Sequence, residues 1–233
     1  MNGERRRLLL RIGSAAVFLA IVVVAVLIVI SANETDGGDT ELEDVGVVKR
    51  DLKGIPQHGL VLGDPAATVT LYEYGDLQCP VCRAFSEEIL PEVIDSKARS
   101  GEAKVEFRNF VIISDESIPA AAAAIAAGRQ GRGWSFVELF YRNQGLEASG
   151  YVTDEFLTEV AKGAGVPDIS RWNRDRKSGA TLAQVKRETA EAQGLGLTGT
   201  PSFAVGGPRT RGKEVLGTPG DAGTLEAAIE DAA

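Results

Sequence analysis

Residues 68–85, TVTLYEYGDLQCPVCRAF, constrain the fold of this chain more than any other stretch. The first half is rich in β-branched and aromatic residues, which is typical of a β-strand. The second half begins with Cys79-Pro80-Val81-Cys82 and continues with residues that suit a helix. Proline fits the first helical position because its fixed φ is helical and no N–H is wasted. The pattern predicts a strand that delivers two cysteines to the start of a helix.

This placement favours redox chemistry at the cysteine pair. Only a thiolate attacks a disulfide, and a free cysteine is mostly protonated at neutral pH. Unpaired backbone N–H groups and the macrodipole at a helix N-terminus favour the anion, which lowers the thiol pKa. We therefore interpret Cys79 as the exposed nucleophile. Cys82, one turn further along, is the resolving thiol that closes the disulfide.

Other uses of a cysteine pair can be weighed by counting ligands. The chain has two cysteines and one histidine, His58, so a tetrahedral zinc site would need an unusual carboxylate ligand. Arg83 follows Cys82, which argues against the haem attachment motif C-x-x-C-H, and iron–sulfur clusters need about four cysteines. We expect no metal and no cofactor, and we expect His58 to be merely solvated. A structural disulfide stays open, although so short a loop gains little stabilisation from loop closure.

The amino-terminal residues predict a membrane anchor. Residues 12–30 carry no charge, and a helix of that length at ~1.5 Å per residue spans about 28 Å, close to the hydrocarbon thickness of a bilayer. Residues 1–11 carry four arginines and acidic residues follow the apolar run, so the positive-inside rule places the tail in the cytoplasm and the rest of the chain outside. A cleaved signal peptide is the alternative, but its apolar region is usually shorter. Both interpretations export the cysteine motif.

The exported part of the chain is acidic. Without the four arginines and one glutamate of residues 1–11, it carries 21 basic and 32 acidic residues, a net charge of −11. This charge disfavours nucleic acids and anionic lipid headgroups as partners. Residues 31–57 are polar and acidic without a sustained period, and we predict a flexible tether there. Within it, Leu42, Val45, Val47 and Val48 favour a short strand or helix.

Residues 58–233 predict one α/β domain whose strands are interrupted by helices. Strands are predicted near residues 60–62, 69–74, 102–113, 202–205 and 215–216. Between about residues 114 and 197 we find no convincing strand, only helical signals such as an alanine run at 120–127 and an aromatic helix at 134–141. The sequence G-x-G-x-x-G at 194–199 matches a dinucleotide fingerprint, but it follows a helix and leads to Thr-Pro. That context argues against nucleotide binding.

The predicted strand, the sequence G-D-x-Q-C-P-x-C at residues 75–82 and the later Gly199-Thr200-Pro201 together resemble the DsbA-like branch of the thioredoxin superfamily. More narrowly, they resemble its membrane-anchored DsbA/BdbD-type members. The resemblance implies a thioredoxin fold in which a helical insertion caps the core. It implies thiol:disulfide oxidoreductase activity, with Cys79 and Cys82 as the redox pair around Pro80 and Val81. It also implies a cis Thr200-Pro201 bond that faces the pair and offers backbone groups to an extended client peptide.

Glu73 is a carboxylate in an otherwise apolar predicted strand. In the family that this chain resembles, an acidic residue six positions before the first cysteine lies beneath the active site. A buried carboxylate there has a raised pKa and can shuttle protons to the resolving thiol. A rim glutamate held by a lysine or arginine is the alternative. Asp76 is expected to be a loop or cap residue.

The resemblance also suggests a physiological role. It implies an enzyme that forms disulfides in exported client proteins and is re-oxidised by a membrane partner of the DsbB or VKOR type. Val81 stands where the strongest oxidants of the family carry a histidine, so we expect a weaker oxidant. Two alternatives stay open. One is a reductase or isomerase, for example in cytochrome c maturation, and the other is a non-enzymatic peptide-binding domain with a structural disulfide.

Overall fold

The computed structural model describes residues 42–233 of the chain. The basic tail, the apolar run at 12–30 and the first part of the predicted tether lie outside the described residues. Within residues 42–233, none of the helices has the length and apolar character needed to cross a bilayer.

Six strands form one mixed sheet in the order β1-β2-β4-β3-β5-β6. The two central strands, β3 and β4, are parallel, and all other neighbours are antiparallel. The β3 register places Glu73 between Phe107 of β4 and Phe203 of β5. The strands are β1 (Gln57–His58), β2 (Val61–Leu62), β3 (Val69–Gly75), β4 (Ala103–Asn109), β5 (Ser202–Gly206) and β6 (Glu214–Gly217).

Nine α-helices accompany the sheet in residues 42–233, and five of them lie between β4 and β5. This arrangement confirms the predicted helical insertion between the strands of the core. The helices are α1 (Val45–Asp51), α2 (Pro80–Glu88), α3 (Leu90–Val93), α4 (Ser117–Gly128), α5 (Gly133–Arg142), α6 (Asp154–Gly163), α7 (Ile169–Arg176), α8 (Gly179–Gly194) and α9 (Ala222–Ala232).

The two faces of the sheet are covered by different helices. Side chains alternate along β3, so Leu71 and Glu73 point to one face and Tyr74 to the other. On the first face, α2 packs through Phe85 against Phe203, with ring centroids 4.7 Å apart. Helix α9 adds its buried leucine and isoleucine to the same core cluster, whereas α8 packs with Tyr74 on the opposite face. The cysteine helix therefore rests directly on the strand that precedes it and on the strand that follows Pro201.

The helix that follows the cysteines is interrupted after Glu88. The break falls at Ile89, between α2 and α3 and two residues before Pro91. Proline cannot donate a backbone hydrogen bond, and its ring disfavours helical geometry in the residues before it. A π-helical turn, Ile94–Ala98, completes the segment before β4.

The second half of the predicted tether is part of the folded domain. The short strand or helix expected near Val45 and Val48 is a helix, α1, but the flexibility expected for the rest of residues 42–57 is wrong, because Val48, Leu52 and Ile55 are buried in the main core. Asn143 of α5 accepts a 2.7 Å hydrogen bond from the backbone N–H of Glu43, which fixes the start of the segment. A few apolar residues among charged ones are enough to hold this segment on the domain, because a neighbouring helix already offers an apolar face.

Candidate active site

Cys79 is the N-cap of helix α2. It leaves β3 through the short loop 76–78 and has extended backbone angles, φ −75° and ψ 117°. Its Sγ accepts a hydrogen bond of 3.3 Å from the backbone N–H of Cys82, one of the N–H groups that a helix leaves unpaired. Pro80 occupies the first helical turn, as predicted from its fixed φ. The strand, the loop and the helix start thus place the first sulfur where a negative charge is favoured.

The surroundings of Cys79 lower the pKa of its thiol to about 6, from an ordinary value of 9.0. The largest cause is the hydrogen bond from the Cys82 side chain. Burial raises the pKa, but hydrogen bonds from Thr200 and from the backbone of Cys82 and Val81 add to the lowering and outweigh it. At neutral pH the Cys79 sulfur is therefore mostly thiolate, the form that attacks a disulfide.

The expectation that Cys79 is exposed is wrong, since only 3% of the residue is accessible. Its side chain folds back over the helix terminus that it caps, and the carbonyl oxygen of Thr200 lies 3.4 Å from its Sγ. The two residues between the cysteines, Pro80 and Val81, are exposed, Val81 at 56%. A client must therefore approach over Val81 and the Thr200 carbonyl to reach the sulfur.

Cys82 lies one turn further into the domain and is fully buried. Burial is the main reason that the pKa of its thiol is raised well above the ordinary value. Its hydrogen bond to Cys79 and the charges of Cys79 and Glu73 act in the same direction. Both cysteines are free thiols in the structure. The two sulfurs are thus opposite in character, one a stabilised anion and the other a protonated thiol.

The Thr200-Pro201 peptide bond is cis and faces the cysteines. The thiol of Cys79 donates to the Thr200 carbonyl, and Ser202 Oγ donates to the Gly199 carbonyl at 2.7 Å, which fixes the turn before β5. The structure therefore brings together two segments that lie far apart in sequence. Both positions were singled out from the sequence.

Glu73 is buried on β3, with 1% of the residue accessible. Neither of its carboxylate oxygens has a hydrogen-bond partner among residues 42–233. Burial, followed by the charges of Glu138 and Cys79, raises the pKa of Glu73 to about 8. The alternative of a rim glutamate held by a lysine or arginine does not fit this environment. An unpaired buried carboxyl group with a pKa near neutrality can gain or lose a proton under physiological conditions.

Asp76 has a larger role than the loop or cap residue expected from the sequence. Its buried carboxylate accepts hydrogen bonds from the backbone N–H groups of Gln78, Ile112 and Ile113, at 2.8 to 3.0 Å. Its backbone carbonyl accepts from the N–H of Cys79 at 2.9 Å. Asp76 therefore ties the cysteine loop to the segment that follows β4. A carboxylate in a turn just before a helix was the only signal in the sequence.

The helical insertion holds the same loop from the other side. Gln78 is fully buried; its side chain accepts from the backbone N–H of Ala148 at 2.8 Å and donates to Ser114 at 2.7 Å. Gln144 donates to the carbonyl oxygens of Leu77 and Cys79 at 2.7 and 3.2 Å. Gln78 belongs to the G-D-x-Q-C-P-x-C sequence, but its contacts were not predicted, and Gln144 was not singled out, because a lone amide carries no periodic signal. They fix the insertion loop 144–148 beside the cysteines.

That loop carries an exposed apolar side chain. Leu146, between the two anchored positions, is 82% accessible, and Ile112, next to the Asp76 contact, is 41% accessible. Together with Val81 they surround the cysteine loop with apolar surface. Exposed apolar groups around a site favour a polypeptide as the substrate.

The remaining candidates lie apart from this site. His58 is exposed on edge strand β1. Among residues 42–233, no cluster of three or more histidine, cysteine or acidic side chains is arranged to hold a metal ion.

Comparison with known proteins agrees with this geometry. The thioredoxin family model matches residues 56–231. A probable disulfide bond formation protein D of Bacillus cereus is 30% identical over 150 residues, which cover 63% of this chain and 69% of that protein.

Two solved structures share the fold. The oxidised form of BdbD from Bacillus subtilis has a TM-score of 0.65 at 24% identity, with 76% of this chain and 95% of that chain covered. A thioredoxin-like oxidoreductase from Silicibacter pomeroyi has a TM-score of 0.58 at 28% identity, with 81% and 95% covered. The chain therefore belongs to the thioredoxin family, as a DsbA-like thiol:disulfide oxidoreductase.

Proposed function

We propose that this protein forms disulfide bonds in exported proteins, and that Cys79 and Cys82 carry the reaction. The observation that supports this most strongly is the opposite character of the two sulfurs. The pKa of Cys79 is lowered to about 6, whereas that of Cys82 is raised well above the ordinary value. The sulfur at the start of the helix is therefore a good leaving group, and the sulfur one turn further into the domain is a protonated thiol.

The exchange begins from the oxidised enzyme, with a disulfide between Cys79 and Cys82. A client thiolate attacks the Cys79 sulfur, the Cys79–Cys82 bond breaks, and the Cys82 sulfur leaves and takes up a proton. The second client thiolate then attacks the client sulfur of the mixed disulfide, and Cys79 leaves as a thiolate. Two electrons pass from the client to the enzyme, which is left as the dithiol.

Glu73 supplies the proton that the Cys82 sulfur needs. Its pKa of about 8 leaves it largely protonated at neutral pH, and it lies on the strand beneath the cysteine helix. When the reaction runs in reverse, the ionised carboxylate accepts the Cys82 proton.

The Thr200 carbonyl positions the client. In the reduced protein the Cys79 thiol donates to this oxygen. Once Cys79 ionises, it is no longer a donor, and the carbonyl becomes available to a backbone N–H of an extended client segment. Val81 and Leu146 add apolar contact to the same segment.

The stabilised Cys79 thiolate supports the oxidising direction of the exchange. Because Cys79 is more acidic in the folded protein than in an unfolded chain, its ionised form stabilises the reduced protein above pH ~6, and that contribution is lost as the pH falls through that value. A stabilised reduced state makes the disulfide a better oxidant. We expect a redox potential above about −270 mV, the value typical of thioredoxin. A potential at or below that value would favour the reductase instead.

The apolar run at residues 12–30 and the arginines before it support a membrane-tethered protein with its catalytic domain outside the cytoplasm. Re-oxidation of the dithiol then requires a disulfide-bearing partner, and a membrane enzyme of the DsbB or VKOR type has the appropriate chemistry.

Trapping tests the proposal. The full chain with Cys82→Ala, expressed in its native host, should accumulate mixed disulfides at Cys79, because the resolving thiol is absent. Mass spectrometry of these adducts identifies the clients and the recycling partner, and exported proteins should dominate. The matched control is the double variant Cys79→Ala/Cys82→Ala, which should trap nothing. Absence of adducts from the single variant at normal protein levels would contradict the proposal.

A further inference from the structure

A second buried carboxylate lies near the cysteine pair and takes no part in the exchange described above. Glu138, on helix α5 of the insertion, is only 6% accessible. Its Oε1 accepts a hydrogen bond of 3.0 Å from Ser86 Oγ on the cysteine helix. A carboxylate is seldom left in a protein interior without a basic partner, because its desolvation is costly.

The position of Ser86 connects Glu138 to the resolving cysteine. Ser86 follows Cys82 by four residues on α2, so the two side chains lie on the same face of the helix, one turn apart. A hydroxyl group both donates and accepts, and so can pass a proton along a hydrogen-bonded chain. Ser86 therefore stands between the Cys82 side of the helix and Glu138.

The other side of Glu138 faces a cavity of about 230 Å³. Its walls come from α1, the segment around Pro91 and α5, and they include the exposed side chain of Asp95. The cavity therefore reaches the protein surface beside Asp95. It is large enough for several water molecules.

The charge of Glu138 also acts on Glu73. Apart from burial, the Glu138 charge is the largest cause of the raised pKa of Glu73. Burial in turn raises the pKa of Glu138 to about 7, against the lowering effect of Ser86 and Arg142. Two interior carboxyl groups that titrate near neutrality, one under the cysteines and one at a solvent cavity, suit the two ends of a proton path.

We propose that Glu138, with Ser86, relays protons between solvent in this cavity and the buried Cys82–Glu73 pair. Glu138 does not touch the reacting sulfurs and acts through Ser86 and Glu73. The relay explains how Glu73, which has no polar partner among residues 42–233, can be reloaded with a proton after each turnover. This inference rests on the proposed roles of Cys79 and Cys82.

The relay is tested by following the two thiol reactions separately. Reduced protein is mixed in a stopped-flow instrument with an aromatic disulfide that releases a coloured thiolate. The first release reports attack by Cys79, and the second reports attack by Cys82 on the mixed disulfide. The pH profile of the second step is recorded from pH 5 to 9 in H₂O and D₂O.

Glu138→Gln keeps an acceptor for Ser86 but cannot ionise, so a structural role would survive it. We expect the plateau rate of the second step to fall about tenfold, and its solvent isotope effect to rise, while the first step is unchanged. Ser86→Ala, which interrupts the chain but leaves both carboxyl groups in place, should lower the same plateau. Asp95→Asn, which removes a charge from the same cavity, is the matched control and should have no effect on the plateau.

Removing the charge of Glu138 also changes the electrostatic environment of the groups around it. The midpoint of the pH profile can therefore shift without a proton relay, and the plateau rate is the decisive quantity. The groups concerned are Glu73, Asp51, Glu87, Arg142 and, around the cavity, Arg50, Asp95 and Arg99. A shifted midpoint with an unchanged plateau in both Glu138→Gln and Ser86→Ala would overturn the relay. Loss of the first release in the unmodified protein would instead contradict the proposed roles of the cysteines.

Discussion

Replacing Cys79 with serine is expected to lower the rate of thiol–disulfide exchange by at least about a thousandfold, because a hydroxyl group does not ionise near neutral pH. The fold should survive the change. Serine is among the preferred N-cap residues, and its Oγ can accept the N–H of Cys82 as the sulfur does. The loss would therefore report chemistry and not unfolding.

The measurement is the oxidation of a reduced, unfolded test protein by glutathione disulfide in the presence of catalytic amounts of the domain. Cys82→Ser is the informative comparison within the same motif. Given glutathione disulfide, it should still form a mixed disulfide at Cys79 with release of one glutathione thiolate, but it should fail to resolve that bond, whereas Cys79→Ser should form none. Substantial exchange by a well-folded Cys79→Ser protein would show that another group carries the reaction.

Replacing Glu73 with glutamine is expected to raise the free energy of unfolding by about 3 kcal/mol at pH 7. The folded protein holds a proton on Glu73 up to pH ~8, whereas the unfolded chain releases it near pH 4.5. As the pH rises between these values, the unfolded chain loses this proton while the folded protein keeps it, so the free energy of unfolding falls. Glutamine removes that penalty because it cannot ionise.

The gain in stability should grow with pH, and this dependence distinguishes the titration of Glu73 from a packing effect. Urea denaturation should show a stability gain of about 1 kcal/mol at pH 5 and about 4 kcal/mol at pH 8. Glu92→Gln, a change at an exposed carboxylate, should give no such dependence on pH. An equal gain at both pH values would mean that packing, and not the titration of Glu73, is responsible. The more stable variant should also resolve mixed disulfides more slowly, which is the usual trade-off at a catalytic group.

The elements around the cysteines were predictable because their signals are local. The β-branched run of β3, the proline after Cys79 and the Thr-Pro pair before β5 each report backbone geometry within a few residues. The alanine run of α4 was predictable for a similar reason, and its burial follows from the smallness of the side chains.

Helix α7 was missed because most of its surface is solvated. Its eight residues, ISRWNRDR, bury only Trp172 and Arg176. The Trp172 indole donates to the carbonyl of Ala123 at 2.9 Å, and this contact, distant in sequence, fixes the helix on the alanine-rich face of α4. The available local signal was Asp168, whose side chain caps the helix.

The proton path was not visible in the sequence for a related reason. Glu138 lies in an aromatic helix in which Trp134 and Tyr141 share its buried face, and the sequence shows neither Ser86 nor the cavity beside it. A carboxylate on the apolar face of an amphipathic helix is the one signal that would have suggested a special environment. The low exposure of Cys79 likewise depends on Thr200, a residue 121 positions away.

The account depends above all on a stabilised thiolate at the start of helix α2. The direct measurement is the absorbance of the thiolate near 240 nm as a function of pH, on the reduced Cys82→Ser protein and the unmodified protein, with the pH dependence of alkylation as a second probe. We expect the unmodified protein to titrate at Cys79 with a midpoint near pH 6. The midpoint in Cys82→Ser should lie close to it, because the serine hydroxyl can donate the hydrogen bond that the Cys82 thiol gives to Cys79. A midpoint near 9 in the unmodified protein, the ordinary value for a cysteine thiol, would contradict the account.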